Sequence, residues 1–257
     1  MGGDCSEQYL RGLYHTATVE AAPSRRPVSE RVFRALCDDV LSGRYGPGEK
    51  LPTQRRLAAD LGANMGPVRE ALKRLEQLRL LESRQGDAMR VTDWRAEGGL
   101  DVIAHVLVRS GELDHEALDG VMEARASMLS EAARLAAERR TDDQAARLRD
   151  IAEAIAAAEA PDAAQALDFA FFAELVEASQ NMVFRLLMNS IREVYFAHAE
   201  LFRAIVAGEG SPVALYAEAA RAVEQGASRE AADTVRALVE GQAERLTASL
   251  IAATPRG

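Results

Sequence analysis

Residues 46–75 read GPGEKLPTQRRLAADLGANMGPVREALKRL, and the order of breakers and apolar residues in this stretch decides the fold of the first third of the chain. Gly46, Pro47 and Gly48 cannot continue a helix, so they close whatever precedes them. Thr53 stands where a hydroxyl caps a first helical turn, and Leu57, Ala58 and Leu61 share the inward face of the helix that follows. Gly62 ends it. A tight turn through Ala63, Asn64, Met65 and Gly66 leads to a second helix starting near Pro67, whose missing N–H suits a first turn. That helix carries Val68, Ala71, Leu72, Leu75 and Leu78 on one face. Two short helices joined in this way form a helix-turn-helix.

The flanks complete the unit. Upstream, Val28, Val32, Phe33, Leu36, Val40 and Leu41 recur at helical spacing. Downstream, Leu80–Ser83 and Met89–Thr92 read as short strands joined through residues 84–88, with Gly86 able to supply a positive φ. Three helices and a hairpin make a winged helix over residues 27–93, a shape that sets one helix into a major groove and the hairpin beside it. Residues 1–26 lack periodicity and read as a flexible tail, and residues 94–99 as a linker. From Gly99 onward nothing reads as a strand. Amphipathic stretches run through Leu100–Ser110, His115–Arg139, Asp142–Ala158, Asp162–Ser179, Met182–Ala207, Pro212–Gln225 and Arg229–Ala252, with short breaks between them. The expected fold class is therefore mainly α, a winged helix-turn-helix followed by an antiparallel bundle of about seven helices over residues 100–253.

Charge divides along the same line. The 257-residue chain carries a net −9, yet Arg25–Arg95 holds 15 Lys+Arg against 10 Asp+Glu, a local +5 that leaves −14 for the rest. A basic module joined to an acidic one fits a nucleic-acid partner at one end. No apolar run is long enough for a membrane span, and residues 1–22 do not read as a secretory signal. Cys5 and Cys37 are too few for a disulfide framework, so a reducing cytoplasm is the expected compartment. No nucleophile–base set, paired carboxylates in a catalytic motif or phosphate-binding glycine loop is present, which argues against an enzyme and gives no reason to expect a cofactor.

Three segments in order, Gly46–Pro52, Leu57–Gly62 and Pro67–Leu75, resemble the GntR family of bacterial transcriptional regulators. The following region resembles the ligand-sensing FCD domain of the FadR subfamily. That likeness rests on Asp168 with Phe171 and Phe172, on Ala178-Ser179-Gln180-Asn181, and on Asn189 and Tyr195, with Asp93-Trp94 and Gly99-Leu100 at the junction. The likeness covers residues 28–250. It implies a homodimer that binds double-stranded, palindromic operator DNA and answers to a small-molecule effector. Fatty acyl-CoA is one candidate effector; another small organic acid, or a pocket that no longer functions, are the alternatives.

Carried over residue by residue, the resemblance assigns Arg55 and Arg69 to DNA contact. It sets Asn64, Gly66 and Pro67 in the turn that approaches the operator, and Gln85 and Gly86 at the wing tip. Met65 occupies a place where the family usually has arginine, and a thioether cannot make a bidentate guanine contact. Arg84 or Arg90 is then a candidate for phosphate contact. In the second domain Arg125 is expected to face inward and pair with an acid on the effector or with Asp168, while Phe172, Asn189 and Tyr195 line the cavity. Many FCD domains hold a divalent metal through an Asp, a His four residues later and two more histidines. Here Phe172 follows Asp168, and the other two places fall near Ala217 and Val239, so no such metal site is expected. His198 reads as a structural histidine.

Overall fold

The computed structural model describes residues 27–83, 88–109, 112–197, 199–206 and 212–253. By contacts the chain divides between Leu118 and Asp119 into two compact units.

The first unit is built on α1 (Val28–Leu41), α2 (Gln54–Asp60) and α3 (Met65–Gln77). The apolar stripe read from the sequence is the buried one: Val32, Phe33, Leu36, Val40 and Leu41 of α1 pack with Leu57 and Ala58 of α2 and with Val68, Ala71, Leu72 and Leu75 of α3. Thr53 caps α2 as its spacing implies, its hydroxyl accepting from the Arg56 N–H at 3.3 Å. The recognition helix α3 opens two residues earlier than expected. Asn64 takes the N-cap position in extended conformation without a side-chain cap, and Met65, Gly66 and Pro67 form the first turn. Pro67 is tolerated there because an N–H in the first turn has no intrahelical partner.

The hairpin pairs β1 (Leu81–Glu82) with β2 (Arg90–Val91), Leu81 opposite Val91 and Glu82 opposite Arg90. The free edge of β2 is also used. The Gly48 N–H donates to Val91 O at 2.7 Å, Val91 N–H to Glu49 O at 3.0 Å and Leu51 N–H to Met89 O at 2.9 Å. The segment after Pro47 is thus a third, irregular strand, reached through Gly48 at φ +79°. The turn with Gln85 and Gly86 lies outside the described residues, as does Arg84.

Beyond the wing come α4 (Trp94–Glu97), a 3-10 turn at Leu100–Val102, α5 (Ile103–Leu107), and strands β3 (Val108–Arg109) and β4 (Glu112–Leu113). Here the expectation of one helix to Ser110, with nothing extended after Gly99, is corrected. Val108 pairs with Leu113 and Arg109 with Glu112. The β-branched Val106 and Val108 disfavour helix continuation, while Arg109 and Asp114 close the small hairpin with a 2.5 Å ion pair. Val102 belongs to the winged-helix core, and the His105 ring lies edge-on to Phe33 at 5.3 Å.

The second unit holds most of α6 (His115–Arg139) and all of α7 (Asp142–Ala157), α8 (Pro161–Ala178), α9 (Met182–Ala197), the short α10 (Ala199–Phe202) with a 3-10 turn at Arg203–Ile205, α11 (Val213–Glu224) and α12 (Ser228–Ala253). α8 is apolar almost all round and is correspondingly the central helix, with Leu167, Phe169, Ala170, Phe171, Phe172, Leu175 and Val176 all buried. Ala132, Ala133 and Ala136 on α6 are fully buried, the small side chains that let neighbouring helices approach closely. Thr141 and Gln144 form a reciprocal capping box on α7. Arg147 of α7 pairs with the buried Glu174 of α8 at 2.9 Å. The single helix expected over Met182–Ala207 is instead α9, α10 and a 3-10 turn, with His198 outside the described residues. Among the described residues no helix is long and apolar enough to cross a membrane.

Candidate functional site

In the first unit, α2 and α3 present an exposed cationic face. Arg55, Arg69 and Lys73 are all solvent-exposed, and Lys73 follows Arg69 by one helical turn. The Arg69 Nε donates to Gln54 Oε1 at 3.2 Å, linking the recognition helix to the start of α2 while leaving both terminal nitrogens for other partners. Arg56 is engaged differently, 3.6 Å from Asp60 on its own helix. Asn64 and Gly66 are exposed at the N-terminus of α3. Met65 is half-buried and packs against the winged-helix core, and Pro67 is half-buried beside it. The arginine that the family resemblance places at Met65 is therefore replaced by a residue that secures the helix start. Arg90 is committed within the wing, its Nη1 donating to Gly48 O at 2.9 Å. Lys73 was missed in the sequence because a lone lysine on an exposed helical face carries no pattern of its own.

In the second unit four helices deliver polar groups to one buried point. Asp168 on α8 is 1% exposed. Its carboxylate accepts from the Tyr216 hydroxyl of α11 at 2.6 Å, the Gln242 Nε2 of α12 at 2.7 Å and the Tyr195 hydroxyl of α9 at 3.0 Å. Gln242 Nε2 also donates to the Tyr216 oxygen at 2.7 Å. Arg125 of α6 sets its guanidinium 4.8 Å from the Phe172 ring centre, a cation–π contact in place of the ion pair with Asp168. Around this point Phe171 lies edge-on to Tyr216 at 5.1 Å, and Tyr195 stacks on Phe202 at 5.2 Å. Asp168, Phe172, Tyr195 and Arg125 are thus brought together. Asn189 is not; it is exposed on α9 and accepts from Arg192 at 3.4 Å.

The expected alignment placed Ala217 and Val239 nearest to the family's histidine positions; the side chains that reach Asp168 are Tyr216 and Gln242. Tyr216 lies among the buried Ala219, Ala220 and Val223, and Gln242 between Val239 and Leu246 on the buried stripe of α12. A polar residue in such a stripe needs a buried partner, and that was the available signal. The set does not fit a divalent cation. Among the described residues no three His, Cys, Asp or Glu side chains converge, and the amide nitrogen and two hydroxyls already donate to the carboxylate. Burial, reinforced by the Asp168 charge, holds both phenols protonated far above the ordinary tyrosine range.

A pH dependence follows. A phenol whose pKa is raised on folding stabilises the folded state fully below the unfolded value of about 10, and that stability falls as pH rises beyond it. Each of the two phenols steepens the loss by up to about 1.4 kcal/mol per pH unit. Urea unfolding between pH 8 and pH 11 is expected to show this decline, with a shallower alkaline slope in Tyr216→Phe. An unchanged slope in that variant would remove Tyr216 from the account.

Comparison with known proteins fits both units. Residues 28–91 match "Bacterial regulatory proteins, gntR family" and residues 120–241 match "FCD domain". The HTH-type transcriptional regulator Mce2R of Mycobacterium tuberculosis is 41% identical over 172 residues, which cover 67% of this chain and 72% of that one. LutR of Bacillus subtilis is 28% identical over 196 residues, 67% of this chain and 88% of that one. The fatty acid metabolism regulator of Salmonella paratyphi B is 27% identical over 205 residues, 78% of this chain and 83% of that one. Among solved structures, Listeria monocytogenes Lar covers 88% of this chain and 99% of its own at a TM-score of 0.53 and 13% identity, a likeness of fold. These relatives are regulators rather than enzymes. The chain belongs to the gntR family of bacterial regulatory proteins, as a DNA-binding transcriptional regulator with an FCD ligand-binding domain.

Proposed function

We propose that the protein acts as a homodimer on a two-fold symmetric operator, reading DNA with Arg55, Asn64, Gly66, Pro67 and Arg69, and that a small organic acid held around Arg125 and Asp168 sets its operator affinity. The observation that carries this reading is the buried Asp168 cluster with the Arg125 guanidinium over Phe172, in the unit that carries the FCD domain match. Switching requires only that the effector bind the DNA-competent and DNA-incompetent arrangements unequally. Two-fold symmetry lets each protomer meet one half-site. At the DNA end Lys73 joins Arg69 on the same face, while Met65 leaves the operator core without the family's usual arginine contact.

A second reading has long-chain fatty acyl-CoA as the effector. It is favoured by the similarity to the Salmonella fatty acid metabolism regulator and by the ring-rich surroundings of Phe169, Phe171 and Phe172.

A mobility-shift titration at fixed salt, on the DNA upstream of the protein's own gene, tests both. Arg69→Ala is expected to weaken specific binding about 10- to 100-fold, the range for losing one bidentate or charge-assisted base contact. Equal binding by wild type and variant would take Arg69 out of the interface. A change of affinity on adding palmitoyl-CoA would favour the second reading over the first.

A further inference from the structure

Among the described residues, two buried polar atoms in the Asp168 cluster lack a hydrogen-bond partner: the acceptor Gln242 Oε1 and the donor Arg125 Nη1. Gln242 is 0% exposed, so bulk solvent does not reach it. Its orientation is imposed by its neighbours. Nε2 is committed to both Asp168 and the Tyr216 oxygen at 2.7 Å, and turning the amide over would set oxygen against carboxylate oxygen. Oε1 therefore points away from these partners and is left without a donor. Arg125 belongs to the same cluster: its guanidinium covers Phe172, and its charge acts on both Tyr195 and Tyr216. Buried orphans of this kind are uncommon, because the desolvated group forfeits its bonds to water.

We propose that Gln242 Oε1 and Arg125 Nη1 are the two reading groups for the effector, and that the effector is a carboxylate bearing a nearby hydroxyl or N–H, bound without a metal ion. This rests on the reading above that the helical domain takes an effector. The assignment follows from polarity. Arg125 offers a charge-assisted donor, which an anionic oxygen satisfies best. Gln242 offers only an acceptor, which only an O–H or N–H of the ligand satisfies. Asp168, Tyr195 and Tyr216 hold the amide in that direction and are positioning residues. A site built around a buried acceptor rejects an analogue lacking the donor much more strongly than one that has merely lost a methylene.

Calorimetric titration and thermal melts of the full-length protein in EDTA test this with matched acids: 2-hydroxybutyrate and 3-hydroxybutyrate against butyrate, and N-acetylalanine against its N-methyl derivative. At least one donor-bearing acid is expected to bind about 100-fold tighter than its partner and to raise the melting temperature. In Gln242→Met that ratio collapses towards one, and in Arg125→Met both members of the pair weaken. Should Gln242→Met fail to fold, the wild-type ratio alone decides. Equal binding within every pair, binding only after added zinc, or no binding by any of these acids overturns the proposal. A response to palmitoyl-CoA or butyrate without donor preference leaves the effector reading standing and removes only this one. If neither these acids nor palmitoyl-CoA alters melting or DNA affinity, the effector reading falls with it.

Discussion

Asp168→Ala is expected to destabilise the helical unit by about 3–5 kcal/mol, the cost of removing one partner from a buried charged network. The carboxylate accepts from three donors, each desolvated and each delivered by a different helix. Alanine leaves those donors unsatisfied, at about 1–3 kcal/mol for each that finds no new partner, and opens a void among Phe171, Phe172 and Tyr216. In a domain of this size the melting temperature should fall on the order of 10 °C. Asp168→Asn separates charge from hydrogen bonding. Its oxygen can still accept from Tyr216 and Gln242, and its amide can donate to the Tyr195 oxygen. The asparagine variant should therefore lose less than half as much. Equal losses would mean that the charge itself holds the cluster, and no loss in either variant would mean that α8 is fixed by its apolar contacts alone.

That network shows where the sequence stops being legible. Local signals carried the first unit well. Thr53, Gly62 and the stripe from Val68 to Leu75 state their own roles, because capping, termination and burial there depend on residues within a few positions. The third strand through Gly48–Leu51 was hidden, since its pairing partner lies some forty residues away and its sequence is dominated by turn formers. The Val108–Leu113 hairpin was masked by apolar residues that also fit a helix. In the second unit, spacing told which face of each helix turns inward but not which inward faces meet. Asp168 was singled out, while Tyr216 and Gln242 lie 48 and 74 positions further on, and only the bundle brings them to it. Asn189 shows the reverse case, a polar residue on the right helix but at its exposed side.

Phe33→Ala is the other substitution with a large expected effect, and it tests how far the DNA-reading face depends on residues that never reach DNA. Phe33 is 1% exposed in the middle of α1. The Arg74 guanidinium of α3 lies 3.7 Å from its ring centre, and the His105 ring of α5 meets its edge at 5.3 Å. Arg74 is held in turn by Glu30, 2.9 Å away on α1, so the ring and the ion pair together lock the recognition helix onto α1. Truncation forfeits the buried ring, about 3–5 kcal/mol, together with a cation–π contact of about 0.5–2 kcal/mol that alanine cannot replace. Hydrogen exchange should therefore accelerate across α1, α3 and α5 together, because all three rest on the same side chain. Operator binding should weaken in proportion to the unfolded fraction of this unit and recover on cooling, whereas Arg69→Ala should weaken binding with the melting temperature unchanged. Phe33→Leu, which keeps an apolar filling but no ring face for Arg74, should fall between alanine and wild type. If Phe33→Ala accelerated exchange in α1 alone, the lock through Arg74 and His105 would be no more than contact, and α3 would owe its position to Val68, Leu72 and Leu75.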